Sequence, residues 1–324
     1  QIIINKIYYG IYLGTTNSAI ARMENGVPTI KKSETLKDTI PSCITFSRKQ
    51  DILVGDTAYN VLKNDSARAL KTFEQGQKNT FIEFKRTMGT THKEESSNMN
   101  RNFSSEELSA EVLKKLKSLV PDENISSIVI TVPAKFLNPQ NEATMQAAKL
   151  AGFKHIELLQ EPVAAATAYG LGSKSKDGFW LVFDFGGGTF DAALIKAEEG
   201  ILAVKDTDGD NWLGGKNLDE AIVDNLIIPY LQQNYSIDFV INDSTKKELL
   251  RAAVKFHAEV AKNELSFKDK ARILTNLGDL PFEDENGEEP EIDLELTEKD
   301  LEIIFSPIFQ KAIDITKDLL KRNN

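Results

Sequence analysis

The chain has 324 residues, 41% hydrophobic and 27% charged, with a net charge of −10. That length exceeds one simple core and points to two domains or lobes, while the acidic balance argues against nonspecific binding to nucleic acid or anionic membrane. The single cysteine, Cys43, rules out an intrachain disulfide, and one cysteine with three histidines is too little for a Cys/His zinc site.

The start, QIIINKIYYG, reads as a strand, too short and polar-interrupted for a signal peptide. No apolar run approaches the ~20 residues of a membrane span. GIYLGTTNSAIARM, residues 10–23, reads as a strand, a tight Gly-Thr-Thr-Asn turn and a second strand. Cys43 in IPSCITF reads as a small buried apolar residue, and a free thiol fits the cytoplasm or another reducing compartment. HKEESSNMNRN, residues 92–102, reads as a polar mobile loop. SSEELSAEVLKKLKSLV opens with a capping box, Ser104 and Glu107, and sets Leu108, Val112 and Leu116 on one helical face.

SSIVITVPA is a β-branched strand ended by Pro133. NPQNEATMQAAKLAGF is a helix with Asn138 as cap, Pro139 at its first position and Gly152 as its stop. IELLQEPVAAATAYG leads from a short strand into a helix that starts at Pro162 and ends at Gly170. This alternation defines an α/β fold. WLVFDFGGGTFDAALI, residues 180–195, is a second hairpin. Beyond it NLDEAIVDNLIIPYL and TKKELLRAAVKFHAEVAKNELS are amphipathic helices. DLPFEDENGEEPEIDLELT is an acidic, turn-rich loop with strands at its edges, and it lacks the residue spacing of a calcium loop. The closing helix, EKDLEIIFSPIFQKAIDITKDLLKRNN, is expected to break near Pro307.

The two hairpins carry the chemistry. Tyr12-Leu13-Gly14-Thr15-Thr16-Asn17 aligns without a gap on Asp184-Phe185-Gly186-Gly187-Gly188-Thr189, about half a chain length further on. An in-phase repeat at that distance predicts duplicated halves, each opening with a phosphate-binding turn. Glycines let the backbone approach an anion, and threonine hydroxyls add hydrogen bonds. Asp184 and Asp191 cannot bind phosphate directly, and they make sense where Mg²⁺ or its water shell lies between them and the anion.

In this order, GIYLGTTNSAIA, FKRTMG, IVITVPAKF, AAKLAGF, ELLQEPVAAATAYGL, VFDFGGGTFDAAL and DTDGDNWLGGKNLD resemble the ATPase domain of the heat-shock-70 (DnaK-type) chaperones, from about residue 7 to 270. The resemblance implies the actin-like ATPase (ribonuclease H-like) fold, with two lobes and duplicated cores around a nucleotide cleft. Lobe I would span 1–173 with an insertion at about 39–102, and lobe II 174–324 with an insertion at about 214–291. It implies ATP or ADP with Mg²⁺, and K⁺ as a monovalent cation. Gly14, Thr15, Thr16 and Asn17 match the first phosphate turn, and Gly186, Gly187, Gly188 and Thr189 the second. Lys85 matches the catalytic lysine. Glu161 and Asp184 match residues that hold the metal through water, and Asp191 an aspartate linked to proton acceptance and the monovalent cation. Gly214 and Gly215 match a turn that closes on the nucleotide. Glu259, Lys262 and Ser266 match an adenosine-binding helix, at a spacing that places them on one face.

Three departures accompany the resemblance. Tyr12 replaces the aspartate of the first hairpin, and a phenol with pKa about 10 is neutral at pH 7 and bulkier than a carboxylate. Asn263 stands where the family packs an arginine on adenine. The chain given stops at KDLLKRNN, where the family continues with a strand, a Gly-Gly turn, a linker and a peptide-binding domain. The implied function is an ATPase domain that couples nucleotide state to binding and release of unfolded polypeptides, with a J-domain co-chaperone and a nucleotide-exchange factor as partners. A slow hydrolase is expected on account of Tyr12. The alternatives are a divergent chaperone-like regulator that binds nucleotide with little or no hydrolysis, and, less favoured, a sugar kinase of the same fold.

Overall fold

The structure is a computed structural model describing residues 7–170 and 177–324. The first six residues, read above as part of a strand, and the lobe boundary expected at 173/174 lie outside the described residues. Two compact units emerge. One holds the described residues up to Tyr59 together with Lys78–Trp212 and Asp314–Asn324; the other holds Asn60–Gln77 and Leu213–Ile313.

In chain order, β1 (Tyr9–Leu13), β2 (Asn17–Glu24) and β3 (Val27–Ile30) form a meander. β4 (Ile40–Pro41) pairs with β2. β5 (Cys43–Phe46) sits between β6 (Ile52–Val54) and β7 (Thr80–Ile82) in a separate sheet, and helix α1 (Asp56–Thr72) connects β6 to β7. Every residue of β5, Cys43 included, is buried, as befits a central strand, and its one polar side chain, Thr45, shares a hydrogen bond with Thr80 at 2.8 Å. A 3₁₀ turn, Phe84–Thr87, carries Lys85 and Arg86.

The stretch expected as a mobile loop is instead a hairpin of β8 (Lys93–Ser96) and β9 (Arg101–Ser104). Its anchors come from distant sequence. The Asn79 side-chain oxygen accepts from Ser96 Oγ and from the Asn98 backbone, each at 2.8 Å. Phe103 stacks on Phe46 at 4.3 Å. Helix α2 (Ser105–Ser118) opens with the expected capping box: Ser104 Oγ accepts from the Glu107 N–H at 3.2 Å, and Glu107 Oε2 accepts from the Ser104 N–H at 2.8 Å. Leu108, Val112 and Leu116 are fully buried, each contributing roughly 1.5–3 kcal/mol.

β10 (Ser127–Val132) lies parallel to β1 on one side and to β11 (His155–Gln160) on the other, giving the order β11-β10-β1-β2-β3. Helix α3 (Asn138–Leu150) comes after β10, and α4 (Glu161–Ala168) after β11. The expected Asn138 cap is corrected: Asn138 is already helical, and the Leu137 N–H is satisfied by Gln140 Oε1 at 2.9 Å. β12 (Gly178–Phe185), β13 (Phe190–Glu198) and β14 (Ile201–Asp210) form an antiparallel sheet in the same unit.

The other unit is mostly helical. α5 (Gly215–Ile222) passes through a π-turn, Val223–Ile227, into α6 (Ile228–Asn234). Pro229, which has no N–H to donate, is the second residue after the widened turn. α7 (Asp238–Ile241) and α8 (Ser244–Glu264) precede a two-stranded sheet of β15 (Lys270–Leu274) and β16 (Asp293–Thr297), which flanks the acidic loop. α9 (Glu298–Lys321) runs on through Pro307, contrary to the expected break. Buried Leu301, Phe305 and Ala312 on either side of the proline hold it in place. No helix among the described residues is long and apolar enough to cross a membrane.

Candidate functional site

Three parallel strands end side by side, and the residues just past each end line one cavity of about 320 Å³. β1 delivers Thr15 and Thr16, β10 delivers Pro133, Lys135 and Phe136, and β11 delivers Glu161. The carboxyl ends of parallel strands are where α/β sheets place ligands, because the loops there are free of the sheet's hydrogen-bond ladder. The second hairpin completes the wall with Asp184, Gly186, Gly187, Gly188, Thr189 and Asp191.

The hairpins match in register. Leu13 pairs with Ser18 and Phe185 with Phe190, leaving four residues in each turn. One step back, Tyr12 pairs with Ala19 and Asp184 with Asp191. The turns touch: a Cβ on Gly187 would fall 2.4 Å from Thr16 Oγ1, so only glycine permits this approach. Tyr12 lies along its own turn, where a Cβ on Gly14 would meet its Cε1 and Oη at 2.7 Å.

Lys85 Nζ donates to Glu161 Oε1 at 2.9 Å, with both side chains largely buried. Its ammonium lies 5.9 Å from the Tyr12 ring centroid and 5.6 Å from that of Phe136, within cation–π range. Burial raises the Asp184 carboxyl, and the Glu161 charge raises it further, while Lys85 opposes the rise. Asp191 is pushed up to about 6 by burial and by the charges of Glu161 and Asp184. Partial burial, with the residue still 41% exposed, and the charges of Glu161, Asp184 and Asp191 raise the Tyr12 phenol, which stays neutral at every ordinary pH.

Crowded, mutually repelling carboxylates form a donor set that a bound cation would relieve, so the residues fit one. Among the described residues no group of three or more His, Cys, Asp or Glu is arranged to ligate a metal directly.

The other expected residues fall in the second unit. Gly214 and Gly215 open α5, where the Gly214 N–H donates to Asn217 Oδ1 at 2.8 Å. Lys262 Nζ lies 2.6 Å from Asp219 Oδ1 and donates to the Gly215 carbonyl at 3.2 Å. Glu259 and Lys262 lie in α8, but the helix ends at Glu264 and Ser266 falls in the turn beyond it, so the three do not share one helical face. Sequence reasoning passed over Arg86, Lys135, Phe136 and Trp212 in the cavity wall. Arg86 stacks on Trp212 at 4.2 Å and donates to the Gly188 carbonyl at 2.8 Å. Its only signal was adjacency to Lys85.

An α/β fold with two in-phase glycine turns on one cavity lined by paired cationic and carboxylate side chains belongs with the actin-like nucleotide-binding proteins, and the comparisons agree. The family described as Hsp70 protein matches residues 8–324. The chain is 36% identical over 280 residues to the chaperone protein DnaK of Mycoplasmopsis agalactiae, covering 86% of this chain and 42% of that relative. It therefore spans less than half the relative's length. The chain belongs to the Hsp70 family of ATP-binding chaperones, and its fold is the actin-like ATPase fold of that family's nucleotide-binding domain.

Proposed function

We propose that the cavity holds the phosphates of ATP or ADP, and that this chain is the nucleotide-controlled part of a chaperone that binds and releases unfolded polypeptides. The observation that carries this reading is the pair of register-matched turns lining one cavity with the Lys85–Glu161 ion pair. Thr15, Thr16 and Asn17, with Gly186, Gly187, Gly188 and Thr189, would supply the phosphate contacts. Lys85 would stabilise charge on a transferring phosphoryl group, and Glu161 would hold Lys85 in place and orient a water. Asp184 and Glu161 would hold Mg²⁺ through its water, and Asp191 a K⁺. When bound, Mg²⁺ supplies charge neutralisation along the phosphates. Gly214, Gly215, Glu259 and Lys262 would serve the adenosine, with Ser266 contributing from the turn after α8.

Partners of this reading are a J-domain co-chaperone, a nucleotide-exchange factor and unfolded polypeptides, in the cytoplasm. A second reading, a regulator that binds nucleotide with little hydrolysis, is favoured by one observation: the Tyr12 ring lies against Gly14 at the position where the second hairpin has Asp184. Calorimetric titration with ATP and ADP, followed by single-turnover hydrolysis, tests both readings. Binding with turnover supports the ATPase, binding without turnover the regulator, and no binding overturns both.

A further inference from the structure

We propose that Lys135 is a phosphate-binding residue of the cavity, parked on Asp208 until an anion enters; this rests on reading the cavity as a nucleotide-phosphate site. Among the described residues three cationic side chains line the cavity, and two are anchored in place. Lys85 is held by Glu161 at 2.9 Å and its side chain is only 9% exposed. Arg86 is anchored through Nη2 by the Gly188 carbonyl at 2.8 Å and Glu83 at 3.3 Å, and through its face by the Trp212 ring, which leaves its buried Nε and Nη1 without a partner among the described residues but its position fixed.

Lys135 is different. Its Nζ stands 3.4 Å from Asp208 Oδ1 and 3.5 Å from the Gly209 carbonyl, at the outer edge of hydrogen bonding, and its side chain is 38% exposed. Asp208 does not depend on it. Arg322 Nη1 sits 2.6 Å from Asp208 Oδ2, and the Gly209 N–H donates to Asp208 Oδ1 at 2.8 Å. Arg322 also grips Asp206 at 2.7 Å, so this acidic pair on β14 is already neutralised in part. Lys135 can leave Asp208 at little cost.

Its position suits the task. Lys135 lies just past the end of β10, and Glu161 just past the end of the neighbouring parallel strand β11, with Val132 and Gln160 in register. A lysine carries a point charge on a flexible four-carbon stem with three rotatable donors. Rotation of that stem would carry the ammonium from Asp208 toward the cavity. Its charge already opposes the rise of the Asp191 carboxyl, which places its field inside the site.

The test is calorimetric titration of ATP and AMP into the wild type, Lys135→Gln and Lys135→Arg at fixed ionic strength, with thermal unfolding to confirm that each variant folds. Loss of one charge-assisted contact should weaken ATP binding by Lys135→Gln about tenfold, with a smaller effect on AMP, and Lys135→Arg should restore most of it. ATP and AMP constants that are unchanged, or that fall by the same factor, overturn the assignment of Lys135. A wild type that binds neither nucleotide overturns the reading of the cavity itself.

Discussion

Lys85 and Glu161 stand 76 residues apart in sequence and 2.9 Å apart in space, with side chains only 9% and 14% exposed. The pair brings one ammonium into direct contact with an otherwise acidic group that includes Asp184 and Asp191. Its two halves are therefore not equivalent. Lys85→Met leaves three carboxylates facing one another without the ammonium that touches Glu161, and with the more distant Lys135 still opposing the rise of Asp191. Glu161→Gln leaves Lys85 with two remaining acidic neighbours. Breaking a buried pair costs about 3–5 kcal/mol. Lys85→Met should approach that range and Glu161→Gln should fall well below it. Urea unfolding of both variants checks the order, and equal losses would contradict it.

A pH dependence arises from two other carboxyls, one in each unit. Burial pushes Asp191 and Asp219 each up to about 6, Asp219 despite its Lys262 partner. Both folded values lie above the ordinary 3.8, so these groups hold their protons more tightly in the folded chain. Their stabilising contribution is complete below about pH 4 and is lost as pH rises through about 6. Each is worth on the order of 1–3 kcal/mol. The protein without nucleotide should resist urea better at about pH 5 than at about pH 7. Asp191→Asn should shrink that difference and stabilise the protein at neutral pH. A variant with the wild-type pH profile would rule out Asp191 as a source.

Arg86 ties the 3₁₀ turn to the second glycine turn. Its bond to the Gly188 carbonyl fixes that peptide plane, and so aims the Thr189 N–H the opposite way. Arg86→Ala should weaken ADP binding several-fold and shift the emission of Trp212, which loses its stacked guanidinium. The chain has two tryptophans, so the spectrum is read in a Trp180→Phe background. Unaltered emission together with unaltered ADP affinity would mean that the tie is dispensable.

What was legible in the sequence was local. The Ser104–Glu107 capping box spans one turn of helix, and both of its hydrogen bonds form as its spacing dictates. The two hairpins were legible because their turn residues repeat in phase. The β8–β9 hairpin was not, because its strands are polar and its order comes from Asn79 and Phe46, both remote in sequence. Pro307 was overread: propensity argued for a break, while buried residues on both sides keep α9 whole. Lys85 and Glu161 were singled out through family resemblance, and no spacing rule links residues so far apart. Lys135 and Trp212 sat inside matched motifs without a pattern of their own, and they reach the cavity from just past the ends of β10 and β14.

On the proposed reading, Tyr12 would limit the chemistry of the first hairpin. It pairs with Ala19 where the second hairpin pairs Asp184 with Asp191, and its ring covers Gly14. Tyr12→Asp would add a carboxylate to Glu161, Asp184 and Asp191 and remove the ring that packs on the turn. Without ligand the variant should be less stable by about 1–3 kcal/mol, from lost packing and added repulsion. Mg²⁺ should then protect it against heat more than it protects the wild type, because the added charge completes a donor set around the metal's water. Single-turnover ATP hydrolysis should rise at least tenfold, since one charge-assisted contact made in the transition state is worth about 2.7–4 kcal/mol. ATP affinity should change little, because contacts from Thr15 and Thr16 need no carboxylate. The two readouts separate the causes. Greater Mg²⁺ protection without faster hydrolysis would mean that Tyr12 had excluded a charge but had not limited the chemistry. No change in either would show that the phenol is a tolerated substitution and that the first hairpin is not impaired.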